Sequence, residues 1–391
     1  MKSSGSRLRA LPVPSGVAAL SVLADLQSAL DGSGPAVAPH AANGPPQPLP
    51  DSLGDLPPGL SLTIGTSGST GSPKLAMLTG GALHASADAT HQRLGGQGQW
   101  LLALPAHHIA GIQVLVRSLV AGTTPVCMDL AGGFTIASFA HATAQVHTPA
   151  RAYTALVPTQ LVRLLASADG CQALGRFTAV LLGGAPAPAS LLTRARSFGV
   201  QVVTTYGMSE TAGGCVYDGR ALEVSRVQLE GDGRIRLGGD TLAQGYLGEP
   251  ERTAESFSAE LDGTLWFRTD DVGHIDQGAL VVDGRIDDLI NTGGLKVVPR
   301  LVEAALVQLD TITEAIVVGS PDPEWGHVVS AAVVVAPGSA PPTLDEVRDQ
   351  LRGKLPDHQL PRQLVTLPEL PLRGPGKPDR AAVQRLFDHS S

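Results

Sequence analysis

Apolar residues recur along this chain with two spacings, and the points where one gives way to the other outline its elements. Between residues 17 and 31, Leu20, Leu23, Leu26 and Leu30 fall three or four apart, which predicts a surface helix closed by Asp31-Gly32. Residues 32 to 59 lose that period; rich in Pro, Gly and Ala, with Pro45-Pro46 and Pro57-Pro58, they predict an extended connector rather than a packed element. From 60 to 207, short strand-like runs at 100–104, 153–157, 179–182 and 200–204 alternate with helical stretches such as 111–120 and 159–166. That alternation predicts an α/β fold with a mainly parallel sheet. Over 222 to 283 the text changes, and pairs such as those in Glu230-Gly231-Asp232-Gly233 predict hairpins of a smaller β region. Past Arg285, runs at 301–309, 315–318, 331–335, 344–351 and 381–387 compose an α+β pattern of about 100 residues, the size of a small domain. The expectation is a large N-terminal domain over 1–286 and a small α+β C-terminal domain over 287–391.

Composition narrows the function. At 391 residues, 43% hydrophobic and only 16% charged, the chain suits a globular enzyme with a sizeable core rather than a solvated, disordered one. A net charge of −8 without any basic run argues against nucleic acid as a partner, because counterion release needs clustered Lys and Arg. Cys127, Cys171 and Cys215 are odd in number and far apart, so neither a disulfide framework nor a zinc site is expected. The basic start (Lys2, Arg7, Arg9) before the apolar stretch 17–26 superficially resembles a secretory leader, but Pro12, Pro14, Gly16 and Asp25 interrupt it. No apolar run reaches the length of about 18 residues that a membrane span needs. A cytoplasmic protein without stable membrane insertion is expected.

The strongest local signal is Thr66-Ser67-Gly68-Ser69-Thr70-Gly71-Ser72-Pro73-Lys74, which follows a strand-like stretch and precedes a helix expected from Ala82. Hydroxyls and glycines in one loop can surround phosphate oxygens with donors at no steric cost, and Lys74 adds a mobile positive charge. The loop is neither a Walker A motif, since Ser72-Pro73 separates Gly71 from Lys74, nor G-x-G-x-x-G. By composition alone such a stretch is more often a flexible turn. These residues, however, resemble the signature of the acyl-adenylate-forming superfamily of acyl-CoA synthetases, peptide-synthetase adenylation domains and luciferases. One departure is Leu75, where the superfamily usually has Gly.

Further segments resemble the superfamily's motifs in its own order, over roughly residues 60 to 388. In Tyr206-Gly207-Met208-Ser209-Glu210-Thr211 the resemblance implies that Tyr206 stacks on adenine, Ser209 bonds the α-phosphate and Glu210 coordinates Mg²⁺. A π face, a hydroxyl and a hard carboxylate suit those partners. Trp266-Phe267-Arg268-Thr269-Asp270-Asp271 is similar to the ribose-binding motif, implying that Asp271 accepts from the ribose hydroxyls; Asp270 stands where the superfamily has Gly. Arg285 matches a nucleotide-contacting arginine, and Asp287 the interdomain hinge that makes the C-terminal domain mobile. Gly293 and Gly294 match a segment bordering the pantetheine tunnel, and Lys377 the C-terminal catalytic lysine, although Pro375 precedes Gly376 in place of Asn or Thr. His108, in Pro105-Ala106-His107-His108-Ile109-Ala110-Gly111, matches a side chain flanking the acyl pocket; a core or loop histidine is the plain alternative.

What the resemblance implies is an ATP-, Mg²⁺- and coenzyme A-dependent ligase that activates a carboxylic acid as its acyl-AMP and transfers the acyl group to a thiol. Lys74 and Lys377 would offset phosphate charge, and the small domain would alternate between two orientations about Asp287. Within the superfamily the chain is most similar to the o-succinylbenzoate-CoA ligases of menaquinone synthesis, through 105–111, Val157-Pro158-Thr159-Gln160-Leu161 and Leu181-Leu182-Gly183-Gly184-Ala185-Pro186. Such a substrate keeps a second carboxylate that needs a polar or cationic partner, with His107, His108 and Arg163 as the choices. Another aryl- or acyl-CoA ligase, or an adenylation enzyme loading a carrier protein, shares the same motifs. A homodimer stays open.

Overall fold

A computed structural model of the chain describes residues 8–46, 49, 56–66, 74–147, 151–373 and 377–387. It splits into two compact units, Met1–Gln228 with Arg236–Thr269, and Leu229–Ile235 with Asp270–Ser391.

The first unit is built on a seven-stranded sheet ordered Arg220–Ala221, Gly213–Tyr217, Val202–Met208, Ala179–Leu182, Ala152–Leu156, Gln99–Leu102, Val126–Cys127. The last five strands in that order are mutually parallel, and the first two add an antiparallel edge. Successive residues of the central strands enter two different cores. Trp100, Leu102, Tyr153, Ala155, Ala179 and Leu181 join one, while Leu101, Ala152, Leu156, Val180 and Leu182 join the other. Because side chains alternate across a strand, a sheet covered on both faces is apolar at nearly every position, the buried Thr154 being satisfied by the Leu101 carbonyl, which is why these strands read as near-continuous apolar runs. Helices Ile109–Val120 and Gly80–Arg93 contribute to the first core, and Ile136–Ala144 and Pro158–Leu165 to the second. Each fully buried Leu or Ile is worth roughly 1.5–3 kcal/mol.

A second sheet of this unit corrects one sequence expectation. Its order is Leu8–Val13, Ala36–Ala41, Leu60–Thr66, Lys74–Thr79. The stretch expected to be an unpacked connector thus supplies a central strand, with Ala36, Val37 and Ala38 almost fully buried. Small side chains let it lie parallel between its neighbours, and Pro39 is accommodated opposite Leu11. After residues 67–73 the chain forms strand Lys74–Thr79, and the helix expected from Ala82 begins at Gly80, capped by the Thr79 hydroxyl accepting from Ala82 N–H.

In the second unit, the outer half of strand Leu265–Asp276 pairs antiparallel with Ala279–Arg285, setting Asp271 opposite Arg285. A five-stranded sheet follows, centred on Gly326–Val335 and the long Ile312–Asp322, with helices Pro299–Leu306 and Leu344–Leu351 completing a core of Val302, Leu306, Val317, Val347 and Leu351. Thr343 and Glu346 form a reciprocal capping box on the second helix. Helix Arg380–Phe387 packs Val383 and Phe387 onto the opposite face of the sheet. All three cysteines are free thiols, and burial pushes Cys127 up to about 11 and Cys215 to about 12. Among the described residues, no helix is long and apolar enough to cross a membrane.

Candidate active site

Thr66 and Lys74 face each other as the last residue of one strand and the first of the next. Ser67, Gly68, Ser69, Thr70 and Gly71 lie outside the described residues. Leu75, the departure noted above, is a buried strand residue whose carbonyl accepts from Leu247 N–H. The Lys74 ammonium sits over the Tyr246 ring at 5.2 Å, and the Tyr246 hydroxyl donates to Glu210 Oε1 at 2.8 Å. Ser209, beside Glu210, donates to the Gly65 carbonyl at 3.3 Å. Lys74, Ser209 and Glu210 therefore share one neighbourhood, gathered by Tyr246, which the sequence reading passed over. Tyr246 lacks helical or strand periodicity around it; its only sequence mark is the preceding Gly245. Tyr206 and Gly207 occupy the end of strand Val202–Met208, half-buried. A Cβ on Gly207 would collide with the Gly213 carbonyl oxygen, so this residue has to be glycine for the antiparallel edge strand to close on it.

Beyond Gly207 a cavity of about 120 Å³ opens where the parallel strands end, lined by Val157, Gly183, Gly184, Gly213, Arg117 and Tyr217 among others. The carboxyl ends of parallel strands are where open α/β sheets bind ligands. Arg117, on helix Ile109–Val120, is the sole charged residue of that lining and is 3% exposed. Its Nη2 points to the Tyr217 hydroxyl at 3.4 Å, its guanidinium lies 5.0 Å from the centre of the Trp100 ring, and its Nε has no hydrogen-bond partner among the described residues. Burial pulls its pKa below the ordinary arginine value, which Tyr217 partly opposes. His91 is held neutral nearby: burial, then the Arg117 charge, lower it to about 4, and its Nε2 accepts from the Trp100 indole at 3.2 Å. Sequence reasoning missed Arg117 because a lone arginine within an apolar helix reads as a snorkelling surface residue. The expected cations lie differently. Arg163 is exposed on Pro158–Leu165, and His108, at the N-cap of Ile109–Val120, is exposed with its ring 4.3 Å from that of His107. His107 is lowered to about 4 by burial and by its two neighbouring histidines. A larger cavity of about 380 Å³, beside Cys127, Asp129 and His141, contains none of the motif residues.

In the second unit Arg285 is gripped by Asp287 through two bonds of 2.8 and 2.9 Å, with Asp270 at 3.4 Å and Asp271 at 3.9 Å. Burial disfavours the charge, but the bonds and charges of Asp287, then Asp271 and Asp270, outweigh it and raise the pKa above the usual arginine value. The ribose, nucleotide and hinge positions of the sequence reading thus form one ionic cluster. Gly293 adopts φ +57° with its N–H on the Trp325 carbonyl at 2.9 Å; a Cβ there would press on the Trp325 ring, which itself stacks under Arg362 at 4.4 Å. Gly294 follows at φ +81°. Lys377 pairs in strand register with Arg373. Three residues on, Arg380 reaches Glu303 at 2.6 Å and Asp288 at 3.5 Å, which ties this end of the chain to the segment after Asp287.

The Thr66–Lys74 strand pair near the buried Glu210, and a cavity at the ends of parallel strands with Arg117 in its wall, suit an adenylate-forming enzyme of the α/β class. The chain belongs to the AMP-binding enzyme family, which it matches over residues 43–247, with the AMP-binding enzyme C-terminal domain over 301–377. It is 44% identical to a probable 2-succinylbenzoate–CoA ligase of Mycobacterium tuberculosis, covering 97% of this chain and 98% of that one. A 2-succinylbenzoate–CoA ligase of Listeria monocytogenes is 31% identical over 81% of this chain and 68% of its own length. Among solved structures, o-succinylbenzoate CoA synthetase from Bacillus subtilis, in complex with the acyl-adenylate intermediate OSB-AMP, superimposes with a TM-score of 0.70 at 28% identity, over 83% of this chain and 69% of that one.

Proposed function

We propose that this chain is an ATP-dependent acid–thiol ligase that converts o-succinylbenzoate to o-succinylbenzoyl-CoA through an acyl-AMP. The reading is supported by identity along nearly the full length of the mycobacterial relative. The observation that carries the substrate is Arg117: a buried guanidinium at a cavity wall, with hydroxyl and aromatic neighbours but no carboxylate among the described residues, is the partner that an acid's second, unreacting carboxylate requires.

A carboxylate resists nucleophiles because of its charge and its poor leaving group. Attack of the succinyl carboxylate on the α-phosphorus forms a mixed anhydride and breaks the bond to pyrophosphate; the thiol sulfur of coenzyme A then attacks the acyl carbon, and AMP leaves. In this scheme Tyr206 offers its ring to adenine, Ser209 its hydroxyl to the α-phosphate, and Asp271 with Arg285 serve the ribose side. Thr66 and the loop through Gly71 hold phosphate oxygens, while Lys74 and Lys377 offset the charge that grows on them. Glu210 offers the hard oxygen donor that suits Mg²⁺, which when bound neutralises phosphate charge. His108 flanks the acyl group. The domain 287–391 turns about Asp287 between the two steps, bringing Gly293 and Gly294 to the pantetheine arm.

The test compares o-succinylbenzoate with 4-oxo-4-phenylbutanoate, which lacks the ring carboxylate, in ATP, Mg²⁺ and CoA, reading thioester products by mass. A preference of at least about a hundredfold in kcat/KM for the diacid is expected, because the monoacid leaves the buried cation unpaired. Equal or better use of the monoacid would sink the substrate assignment and leave the reaction class standing.

A further inference from the structure

Arg117 does not stand alone in the wall; its orientation is set by hydroxyls whose proton directions can be worked out. Thr90, on helix Gly80–Arg93, has its Oγ1 2.8 Å from the Ser86 carbonyl oxygen, one turn earlier. A carbonyl oxygen only accepts, so the single Thr90 hydroxyl proton is committed to it. Thr90 Oγ1 also lies 2.9 Å from the Tyr217 hydroxyl, and with its own proton spent it acts there as acceptor. Tyr217 must then donate to Thr90. Its oxygen faces Arg117 Nη2 at 3.4 Å with lone pairs only, which is the role an arginine N–H requires.

We propose that Tyr217 and Thr90 are positioning residues, a one-way relay from Arg117 N–H to Tyr217 to Thr90 to the Ser86 carbonyl, which aims the guanidinium and so sets the preference for acids carrying a second carboxylate. The proposal rests on the reading that Arg117 meets that carboxylate. Two features support it. Tyr217 is fully buried and lines the same cavity as Arg117, so its ring direction is fixed by packing. At 3.4 Å the arginine bond is long, which leaves the guanidinium able to tighten onto an incoming anion while the tyrosine keeps it from folding back. His91 does not compete for the anion, since it is not among the residues that line the cavity. The relay also excludes a direct role for Tyr217: its only proton points away from the cavity, so it supplies no hydrogen bond to the substrate.

The polarity makes the proposal testable by sign. The readout is the ratio of kcat/KM for o-succinylbenzoate to that for 4-oxo-4-phenylbutanoate, measured on the full chain with ATP, Mg²⁺ and CoA. Tyr217→Phe removes the acceptor for Arg117 and is expected to lower the ratio about tenfold, mainly through KM for the diacid. Thr90→Val removes the acceptor for Tyr217 and is expected to lower it about threefold, with the double variant no worse than Tyr217→Phe alone, since both act on one chain of bonds. A rise in the ratio for Thr90→Val would mean that Thr90 does not hold Tyr217 in the orientation that aims Arg117, which overturns its positioning role. Equal losses on both acids would reduce the two residues to fold support and overturn it as well. Arg117→Met separates the premises: if it leaves the ratio unchanged, the carboxylate reading fails; if it collapses the ratio while the tyrosine and threonine variants do not, only the relay fails.

Discussion

Arg117 in the first unit and Arg285 in the second are the same side chain in opposite surroundings. Arg285 has three carboxylates within 4 Å and is partly open to solvent, so its charge is stabilised by the protein itself. Arg117 is buried against a hydroxyl and an indole, its pKa lowered, and it has no carboxylate among the described residues. A burial cost persists where something returns it, and under the proposed function that is the substrate's second carboxylate. The contrast teaches that an arginine's use is read from what neutralises it: one already matched inside the fold holds structure, whereas one left wanting selects a ligand.

The largest effect follows from removing the unmatched charge. Arg117→Met should lower kcat/KM for o-succinylbenzoate by about a hundredfold or more, the loss expected for truncating one side of a buried charge pair, while stability changes little or rises. Steady-state kinetics with urea unfolding checks both, and an unchanged kcat/KM would erase the distinction between the two arginines. Next in size is acid sensitivity near Arg117. His91 titrates near 6.5 when unfolded and at about 4 when folded, so the unfolded chain binds more protons between those values. Its contribution is complete above pH 6.5 and is lost as pH falls toward 4, by about 3 kcal/mol. Unfolding curves from pH 7.5 to 4.5 should converge for the native chain and His91→Gln at the acid end; parallel curves would mean the imidazole is not buried neutral. The smallest effect belongs to the matched arginine. Asp287→Asn removes one of three carboxylates from a half-exposed cluster and should cost no more than about 1 kcal/mol in urea unfolding.

Much of the large sheet was legible in the sequence because its inner strands are buried on both faces. Ala179–Leu182 has no polar position, and in Ala152–Leu156 the one small polar side chain, Thr154, gives its hydroxyl to the Leu101 carbonyl of the neighbouring strand. The order of Tyr206, Glu210, Asp271 and Arg285 was equally plain, since each belongs to a contiguous motif. What escaped was set by tertiary contact. Ala36–Ala41 contains a proline and short side chains, and is a strand only because flanking strands cover it. Arg117, Tyr217 and Thr90 lie on three separate elements far apart in the chain, and no local pattern announces that they meet.

The chain has three tryptophans, and each lies beneath an arginine: Trp100 under Arg117, Trp266 under Arg236 and Trp325 under Arg362. Exciting an indole shifts electron density across the ring system, so the colour of its emission depends on charges nearby. An anion that draws the Arg117 guanidinium toward itself therefore alters the light from Trp100, while the other two indoles keep their own cations. With Trp266 and Trp325 replaced by phenylalanine, the protein would carry a built-in optical gauge of whether its acid cavity is filled, readable without dye or coupled assay.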